Sequence, residues 1–270
     1  MGKAGADEWR KGVVAFVERF LPEPPVPILE VGCGDGWLTR HLAASRYLVR
    51  GIDPQAPRGP LFTPVTLDAF DDAGPFAAIV AILSLHHISD LPAAVAKLAR
   101  LLAADGSLIV VEFAWDRFDD ATAAWCLDRL PPEPGHGTWL HRRCAAAQER
   151  SRRGEPLRAA EDFHRWGKEE GMHPSSALLA ALRGRFEERL FAWSPYLYPG
   201  LDRVTADDEL AAIESGEIQP LGFRFVGAHS VAVPARCCSS AQPLAADRPV
   251  SRHRAGVALL VAQRLRRADA

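Results

Sequence analysis

The sequence predicts an α/β protein whose sheet is mostly parallel and doubly wound. Short apolar runs of strand length recur along residues 28–113, separated by segments with helical spacing of apolar residues. The run A-A-I-V-A-I-L at 77–83 contains no polar residue, as in a strand covered by helices on both faces. A glycine-rich turn joins the first run to a helix. This alternation of strands and helices is typical of parallel sheets built from crossover connections.

The first elements are a helix, a strand and the glycine turn. Apolar residues at spacings of three and four predict an amphipathic helix over 7–21. The strand over 28–31 is followed by glycines at alternate positions, Gly32, Gly34 and Gly36. Glycine reaches positive φ at little cost and lets a ligand approach the backbone. The spacing differs from the G-x-G-x-x-G turn of dinucleotide sites, and the carboxylates of Glu30 and Asp35 would repel a pyrophosphate.

Two carboxylates beside the turn favour a ligand with a positive charge, such as the amino group or the sulfonium of S-adenosylmethionine. Residues 30–36, E-V-G-C-G-D-G, resemble motif I of the class I S-adenosylmethionine-dependent methyltransferases. The resemblance continues in register over residues 27–113 and implies a Rossmann-like sheet of seven strands with S-adenosylmethionine as the cofactor. For the motif alone, a structural strand-to-helix turn is the alternative interpretation.

The resemblance places cofactor contacts at the ends of the first four strands. The second strand, 47–52, ends at Asp53, an acid that can accept hydrogen bonds from both ribose hydroxyls, although a dinucleotide enzyme has an acid there too. After the third strand, 64–67, Asp68 and Ala69 match the position that holds the adenine in the family. The expected cofactor-binding residues are Glu30, Gly32, Cys33, Gly34, Asp53, Pro54, Asp68, Ala69 and Leu83.

Two histidines follow the fourth strand, which is predicted over 76–83. Open α/β sheets bind ligands outside the carboxyl ends of their strands, so His86 and His87 stand where a methyl acceptor would lie. Histidine titrates near neutral pH, which makes either one a candidate general base. A hydrogen-bonded structural histidine is the alternative. The sequence L-S-L-H at 83–86 lacks the N/D-P-P-Y/F pattern of methyltransferases that act on base amino groups.

A helix over 91–102 and a fifth strand over 107–113 precede a change in character. Residues 116–204 are rich in Arg, Ala and Trp, with apolar residues at helical spacing. We therefore expect a helical cap inserted after the fifth strand, which would form the acceptor pocket. The histidines of this segment, any of which could approach the acceptor, are His136, His141, His164 and His173.

The C-terminal part is predicted to complete the core. A helix over 206–218 leads into a sixth strand from Phe223 to Val233, and an antiparallel seventh strand is expected over 256–265. The predicted domains are residues 1–115 for the first helix and cofactor-binding core, 116–204 for the cap, and 205–270 for the end of the core.

Composition narrows the function further. A formal net charge of −2 gives no general attraction to nucleic acid or to a membrane surface. Five cysteines, without a C-x-x-C pair or zinc spacing, favour a reduced cytoplasmic protein and no metal site. No stretch approaches the ~20 apolar residues of a membrane-spanning helix.

Together, the residues and the resemblance predict methyl transfer from S-adenosylmethionine to an oxygen, nitrogen or activated carbon atom of a small molecule. High Ala and Arg content hints at secondary metabolism. Methylation of rRNA, tRNA or protein is one alternative, and a non-catalytic partner protein with the same fold is another. A homodimer through the cap or the first helix is left open.

Overall fold

The computed structural model describes residues 3–71, 74–131, 140, 149–150, 152–155 and 158–229. Its strands are β1 (Pro27–Val31), β2 (Leu48–Ile52), β3 (Phe62–Thr63), β4 (Phe76–Ile82), β5 (Leu102–Phe113), β6 (Phe186–Ser194) and β7 (Gly222–His229). They form one sheet in the order β3-β2-β1-β4-β5-β7-β6. Strands β1 to β5 pair in parallel, and β7 runs antiparallel between β5 and β6. The prediction of a seven-stranded, mostly parallel sheet is confirmed.

Helices cover both faces of this sheet. They are α1 (Lys3–Phe20), α2 (Trp37–Ala44), α3 (Leu91–Leu101), α4 (Asp120–Leu127), α5 (Ala159–Glu169), α6 (Ser175–Arg185) and α7 (Ala206–Glu214). On one face, α1 and α2 bury Val17 and Leu38 against the strands. On the other face, α3 and α6 bury Leu98 and Leu182. The sheet is therefore doubly wound, as the unbroken apolar strand β4 predicts.

A third apolar cluster is formed by residues that follow β5 and by side chains of α4, α5 and α7. Phe118 and Phe163 stack within it, with ring centroids 4.3 Å apart. Trp115 and Trp125 are buried in the same cluster. These aromatic residues of the predicted cap thus form a core, which is the commonest use of large aromatic side chains in a small helical layer.

The segment after α6 differs from the prediction. Residues 186–194 form the edge strand β6, although they lie inside the range 116–204 that was predicted as helical. The alternation of polar and apolar residues is interrupted here, because Glu187, Glu188 and Arg189 are consecutive polar residues and all three are exposed. The pairing register with β7 also shifts between Glu188 and Leu190. In consequence, the strand predicted as the sixth is the seventh in chain order. It is also the antiparallel one, with Gly222–His229 as its bounds.

Other boundaries shift by a few residues. The third strand lies at 62–63 rather than 64–67, and β5 begins at Leu102 because α3 leads into it directly. The predicted strand over 256–265 lies outside the described residues, as do His136 and His141. Among the described helices, none combines the length and apolarity needed to cross a membrane.

Candidate active site at the strand ends

The turn after β1 is shaped by three glycines in the left-handed region. Their φ angles are +75° at Gly32, +51° at Gly34 and +75° at Gly36. The N–H groups of Gly32 and Cys33 donate to the carbonyl of Ile52, at 2.8 and 3.1 Å. These bonds attach the turn to the carboxyl end of β2, so that the first two predicted binding segments lie side by side.

The three glycines face different surroundings. A Cβ atom on Gly32 would lie 2.2 Å from the Cβ of Ser84, and one on Gly36 would lie 2.4 Å from the ring of Phe62. A Cβ atom on Gly34 would have no neighbour within 4 Å. Gly32 and Gly36 are therefore required by close packing, whereas Gly34 leaves a backbone surface that an added methyl group would fill.

Asp53 lies at the end of β2 and contacts this open backbone. Its Oδ2 accepts a hydrogen bond from the N–H of Gly34 at 3.1 Å, and its Oδ1 accepts one from the N–H of Gln55 at 2.7 Å. A carboxylate oxygen can accept more than one hydrogen bond, so both oxygens retain capacity for ligand hydroxyls. The side chain is partly exposed, and Pro54 beside it is exposed. The structure thus brings Gly34, Asp53 and Pro54 together.

Glu30 lies beneath the turn rather than at its surface. Its side chain is 2% exposed and accepts a hydrogen bond from the hydroxyl of Thr39 in α2. Burial raises the pKa of Glu30 to about 7, the hydroxyl of Thr39 opposes the shift, and the charges of Asp35 and Asp53 add to it. Sequence reasoning missed Thr39, which is the third residue of α2 and carries no motif signal of its own.

Cys33 is also turned inward. Burial, followed by the carboxylates of Glu30 and Asp53, raises the pKa of its thiol to about 12. The thiol therefore stays protonated and unreactive at neutral pH. Cys33 can contribute to the site through its backbone, while its side chain packs below.

Asp68 and Ala69 are exposed beyond the end of β3. A hydrogen bond from the Thr66 hydroxyl and the backbone N–H groups nearby lower the pKa of the Asp68 carboxyl. The ammonium of Lys97 donates to the carbonyl oxygens of Asp68 and Phe70, at 2.9 and 2.5 Å. Lys97 lies on α3, so this loop is anchored to the helix that follows β4.

A buried carboxylate that sequence reasoning missed organises the ends of β4 and β5. Glu112 has no exposed surface. Its Oε1 accepts from the N–H groups of Ser84 and Leu85, at 2.9 and 2.6 Å. Its Oε2 accepts from the N–H of Phe113 at 3.0 Å and lies 2.6 Å from Nδ1 of His86. One signal for this role was available, since an acid inside the apolar run of β5 requires partners when it is buried.

The loop after β4 begins in an unusual conformation. Leu83 has a φ of +50°, and its N–H donates to the carbonyl of Val111 at 2.8 Å. The left-handed conformation costs a non-glycine residue about 1–2 kcal/mol, so hydrogen bonds from the surrounding residues must hold Leu83 in it. The hydroxyl of Ser84 adds one such bond by donating to the carbonyl of Val31 at 2.8 Å. Ser84 therefore joins this loop to the end of β1, beside Gly32 of the glycine turn.

The two histidines have different environments. His86 is 5% exposed and His87 is exposed, while their ring centroids lie only 4.1 Å apart. Partial desolvation, and then the charge of His86, lowers the pKa of His87, so its neutral form is favoured. His87 is thus the more accessible of the two candidate bases.

Of the histidines in the predicted cap, His173 reaches this loop. Its N–H donates to the carbonyl of His86 at 2.9 Å, and its Nε2 lies 2.6 Å from the carbonyl of Ile88. A carbonyl accepts hydrogen bonds only, so Nε2 of His173 is the protonated nitrogen. His164 packs edge-on against Trp115 at 6.0 Å instead. His173 thus holds the loop after β4 through two hydrogen bonds.

Two further observations concern metal ligands and a cavity away from the predicted site residues. Within the described ranges, no group of three or more His, Cys, Asp or Glu side chains could hold a metal ion. A cavity of about 470 Å³ is lined by Trp125, Arg129, Asp208 and Ala212, and it contains none of the predicted site residues. The predicted site residues lie instead at the ends of β1 to β4.

A family model described as a methyltransferase domain matches residues 6–188 of this chain. Methyltransferases of unknown specificity from Mycobacterium bovis and Mycobacterium tuberculosis are 32% identical to it over 112 residues. This alignment covers 37% of the chain and 56% of each relative, so the chain spans about half the length of the relatives it matches.

Solved structures add a likeness of fold. A protein from Listeria monocytogenes, provisionally named an S-adenosylmethionine-dependent methyltransferase, superposes with a TM-score of 0.50 at 15% identity. The superposition covers 85% of this chain and 100% of the other. At this identity the likeness concerns the fold alone.

Proposed function

Because the chain belongs to the methyltransferase domain family, whose class I members use S-adenosylmethionine, we propose that it transfers a methyl group from this cofactor to a small molecule. The acceptor atom is an oxygen, a nitrogen or an activated carbon. The observation that carries the proposal is the pairing of the open Gly34 backbone with the Asp53 carboxylate. A glycine that no packing requires, beside a carboxylate with spare acceptor capacity, is what a nucleoside needs for close approach.

The residues present fit S-adenosylmethionine. Asp53 would accept hydrogen bonds from the ribose hydroxyls, and Asp68 with Ala69 would hold the adenine. The exposed or partly exposed carboxylates beside the turn suit a ligand with positive charge, while Glu30 lies buried beneath it. Gly32, Cys33, Pro54 and Leu83 would shape the surface through their backbones.

The bound cofactor would supply a methyl group already activated on a sulfonium. The protein then has to hold the acceptor atom in line, exclude water and accept a proton where the acceptor carries one. His86 and His87 are the proposed candidates for the base, because both follow β4 and lie beside Leu83. Helices α4 and α5, whose side chains pack with the residues that follow β5, would form the acceptor side, as a cap over the strand ends.

Calorimetric titration with S-adenosylhomocysteine tests the cofactor assignment. We expect micromolar binding to the wild-type protein, no binding of NAD, and a loss of affinity of about tenfold to a hundredfold in Asp53→Ala, since hydrogen bonds to a charged group are each worth about 1.5–3 kcal/mol. Asp71→Ala is the matched control, because Asp71 is an exposed acid a few residues beyond Asp68. Equal affinity in wild type and Asp53→Ala contradicts the ribose contact.

The acceptor class is tested separately. Incubation with S-adenosylmethionine and a panel of phenols, carboxylic acids and amines should yield S-adenosylhomocysteine with at least one member. Conversion with RNA or protein instead, lost at high salt, would favour the macromolecular alternative. Tight cofactor binding without conversion of any acceptor would favour the non-catalytic alternative.

A further inference from the structure

Three of the four groups that contact the carboxylate of Glu112 can only donate hydrogen bonds. Three of its partners are backbone N–H groups, those of Ser84, Leu85 and Phe113. A backbone N–H has no acceptor capacity, so both oxygens of Glu112 serve as acceptors. The fourth partner, Nδ1 of His86, faces one of these acceptor oxygens at 2.6 Å.

This arrangement decides which nitrogen of His86 carries a hydrogen. A nitrogen that faces an acceptor at hydrogen-bonding distance has to be the donor, so Nδ1 is protonated. In the neutral ring, Nε2 then holds the lone pair. Nε2 makes no hydrogen bond to any residue within the described ranges. It is also not one of the buried nitrogen atoms that lack a partner there, so its surface is not fully covered. It is therefore the ring atom available to accept a proton.

The same carboxylate also fixes the loop that carries His86. The two hydrogen bonds to Oε1 come from the residues directly after Leu83, whose φ is +50°. Left-handed conformations of non-glycine residues persist where the surroundings over-determine them, and they cluster at functional sites. Glu112 thus holds both the strained end of β4 and the ring of His86.

Resting on the proposed methyl transfer, we propose that Glu112 is a positioning residue that acts through His86. It holds His86 as the Nδ1–H tautomer, so that Nε2 takes the proton of the acceptor. As the acceptor atom bonds to the methyl carbon, the carbon–sulfur electron pair stays on sulfur and the acceptor proton moves to Nε2. The imidazolium formed in this way lies beside the Glu112 carboxylate, which offsets its charge.

The first test is a measurement on the wild-type protein without ligand. Two-bond ¹H–¹⁵N correlation spectra distinguish a protonated ring nitrogen from a bare one, and His86→Asn assigns the signal. We expect Nδ1 of His86 to be protonated and, when the ring is neutral, Nε2 to be bare. The reverse tautomer in the wild-type protein would overturn the inference.

The second test is Glu112→Gln. If the amide oxygen retains the N–H groups of Ser84 and Leu85, the NH₂ group replaces the oxygen that accepts from the N–H of Phe113, and it faces His86, which requires Nδ1 to be an acceptor. We therefore expect the His86 tautomer to switch to Nε2–H. Turnover with the acceptor found in the panel should fall by about a hundredfold or more, in line with the loss of a general base, while S-adenosylhomocysteine affinity stays within about twofold.

A matched control is available in Glu209. This acid is also fully buried and accepts three backbone N–H groups, those of Tyr196, Leu197 and Tyr198, at 2.8, 2.8 and 2.7 Å. We expect Glu209→Gln to reduce stability without changing the His86 tautomer or the turnover. Loss of turnover in both variants without a tautomer switch, or loss in His87→Ala but not in His86→Asn, would contradict the proposal.

The proposed function and the proposed role of Glu112 would be contradicted by different results. If wild type does not bind S-adenosylhomocysteine, the proposed function is wrong regardless of the tautomer. If wild type binds it and converts an acceptor but His86 carries its hydrogen on Nε2, only the role of Glu112 is wrong.

Discussion

The two halves of the candidate site are held by different kinds of interaction. At the ends of β1 and β2, backbone conformation sets the shape: three glycines with positive φ pack against neighbouring atoms or leave open space. At the ends of β4 and β5, a buried carboxylate collects the N–H groups of a loop and one histidine ring. The first half is therefore sensitive to added atoms, and the second is sensitive to the loss of an acceptor.

The sensitivity of the glycine turn to added atoms is tested most directly by Gly32→Ala. The new Cβ would lie 2.2 Å from the Cβ of Ser84, which itself belongs to the loop held by Glu112. We expect the free energy of unfolding to fall by at least about 2 kcal/mol, from backbone strain plus overpacking. Urea denaturation measures it, and Gly171→Ala is the control because Gly171 has a φ of +67° but open surroundings. Equal losses in the two variants would mean that the clash is relieved.

Glu30 provides an effect of comparable size, through pH. Its folded pKa of about 7 lies above the ordinary value of 4.5, so the protonated form contributes stability that is complete below pH 4.5 and lost as the pH rises through 7. This difference corresponds to about 3 kcal/mol. We expect Glu30→Gln to gain stability relative to wild type as the pH is raised from 5 to 8. Urea denaturation at both pH values checks this, with the exposed Glu23→Gln as control. A constant difference would show that Glu30 does not titrate in this range.

Gly34→Ala should separate binding from stability. A Cβ at this position meets no protein atom within 4 Å, so the substitution costs only about 1 kcal/mol of backbone strain. If the open space receives the cofactor, S-adenosylhomocysteine affinity should fall at least about tenfold. Gly216→Ala, with a φ of +76° and open surroundings after α7, should show the same strain and full affinity. Unchanged affinity in Gly34→Ala would place the ligand elsewhere.

The smallest effect concerns the attachment of α1 to the glycine turn. Arg10 pairs with Asp35 at 2.9 Å and lies over the ring of Trp37, but both charged side chains are largely exposed, at 42% and 63%. We expect Arg10→Ala to lower the free energy of unfolding by less than about 1 kcal/mol, and by less still at high salt. Urea denaturation beside Lys11→Ala, on the same helix, measures it. A loss above about 2 kcal/mol would show that α1 is needed to hold the turn.

The same contrast explains what the sequence predicts. Glycines at alternate positions, and an acid at the end of the next strand, are local patterns whose physical reasons can be stated residue by residue. The predicted sheet, the glycine turn and the neighbourhood of Gly34 and Asp53 follow from them. The comparisons support the family and the fold, while the roles of the individual site residues remain predictions.

The other half depends on contacts between distant residues. Glu112 reaches a loop 26–28 positions earlier in the chain, and Thr39 reaches Glu30 across the turn. No local spacing marks such pairs. The strand β6 was missed for a related reason, because in the described part of the sheet it pairs on one side only, and its polar residues at 187–189 obscure the alternation.

The position of β7 bears on how the chain acquires its fold during synthesis. In the described sheet, β6 pairs with β7 alone, and β7 is the later of the two to leave the ribosome. Until Gly222–His229 is available, the edge of β5 stays open and β6 has no partner. Such an exposed edge is a template for intermolecular pairing in a nascent chain. Interruption of translation between β6 and β7 should therefore yield an aggregation-prone species, even though the match to the methyltransferase domain is already complete at residue 188.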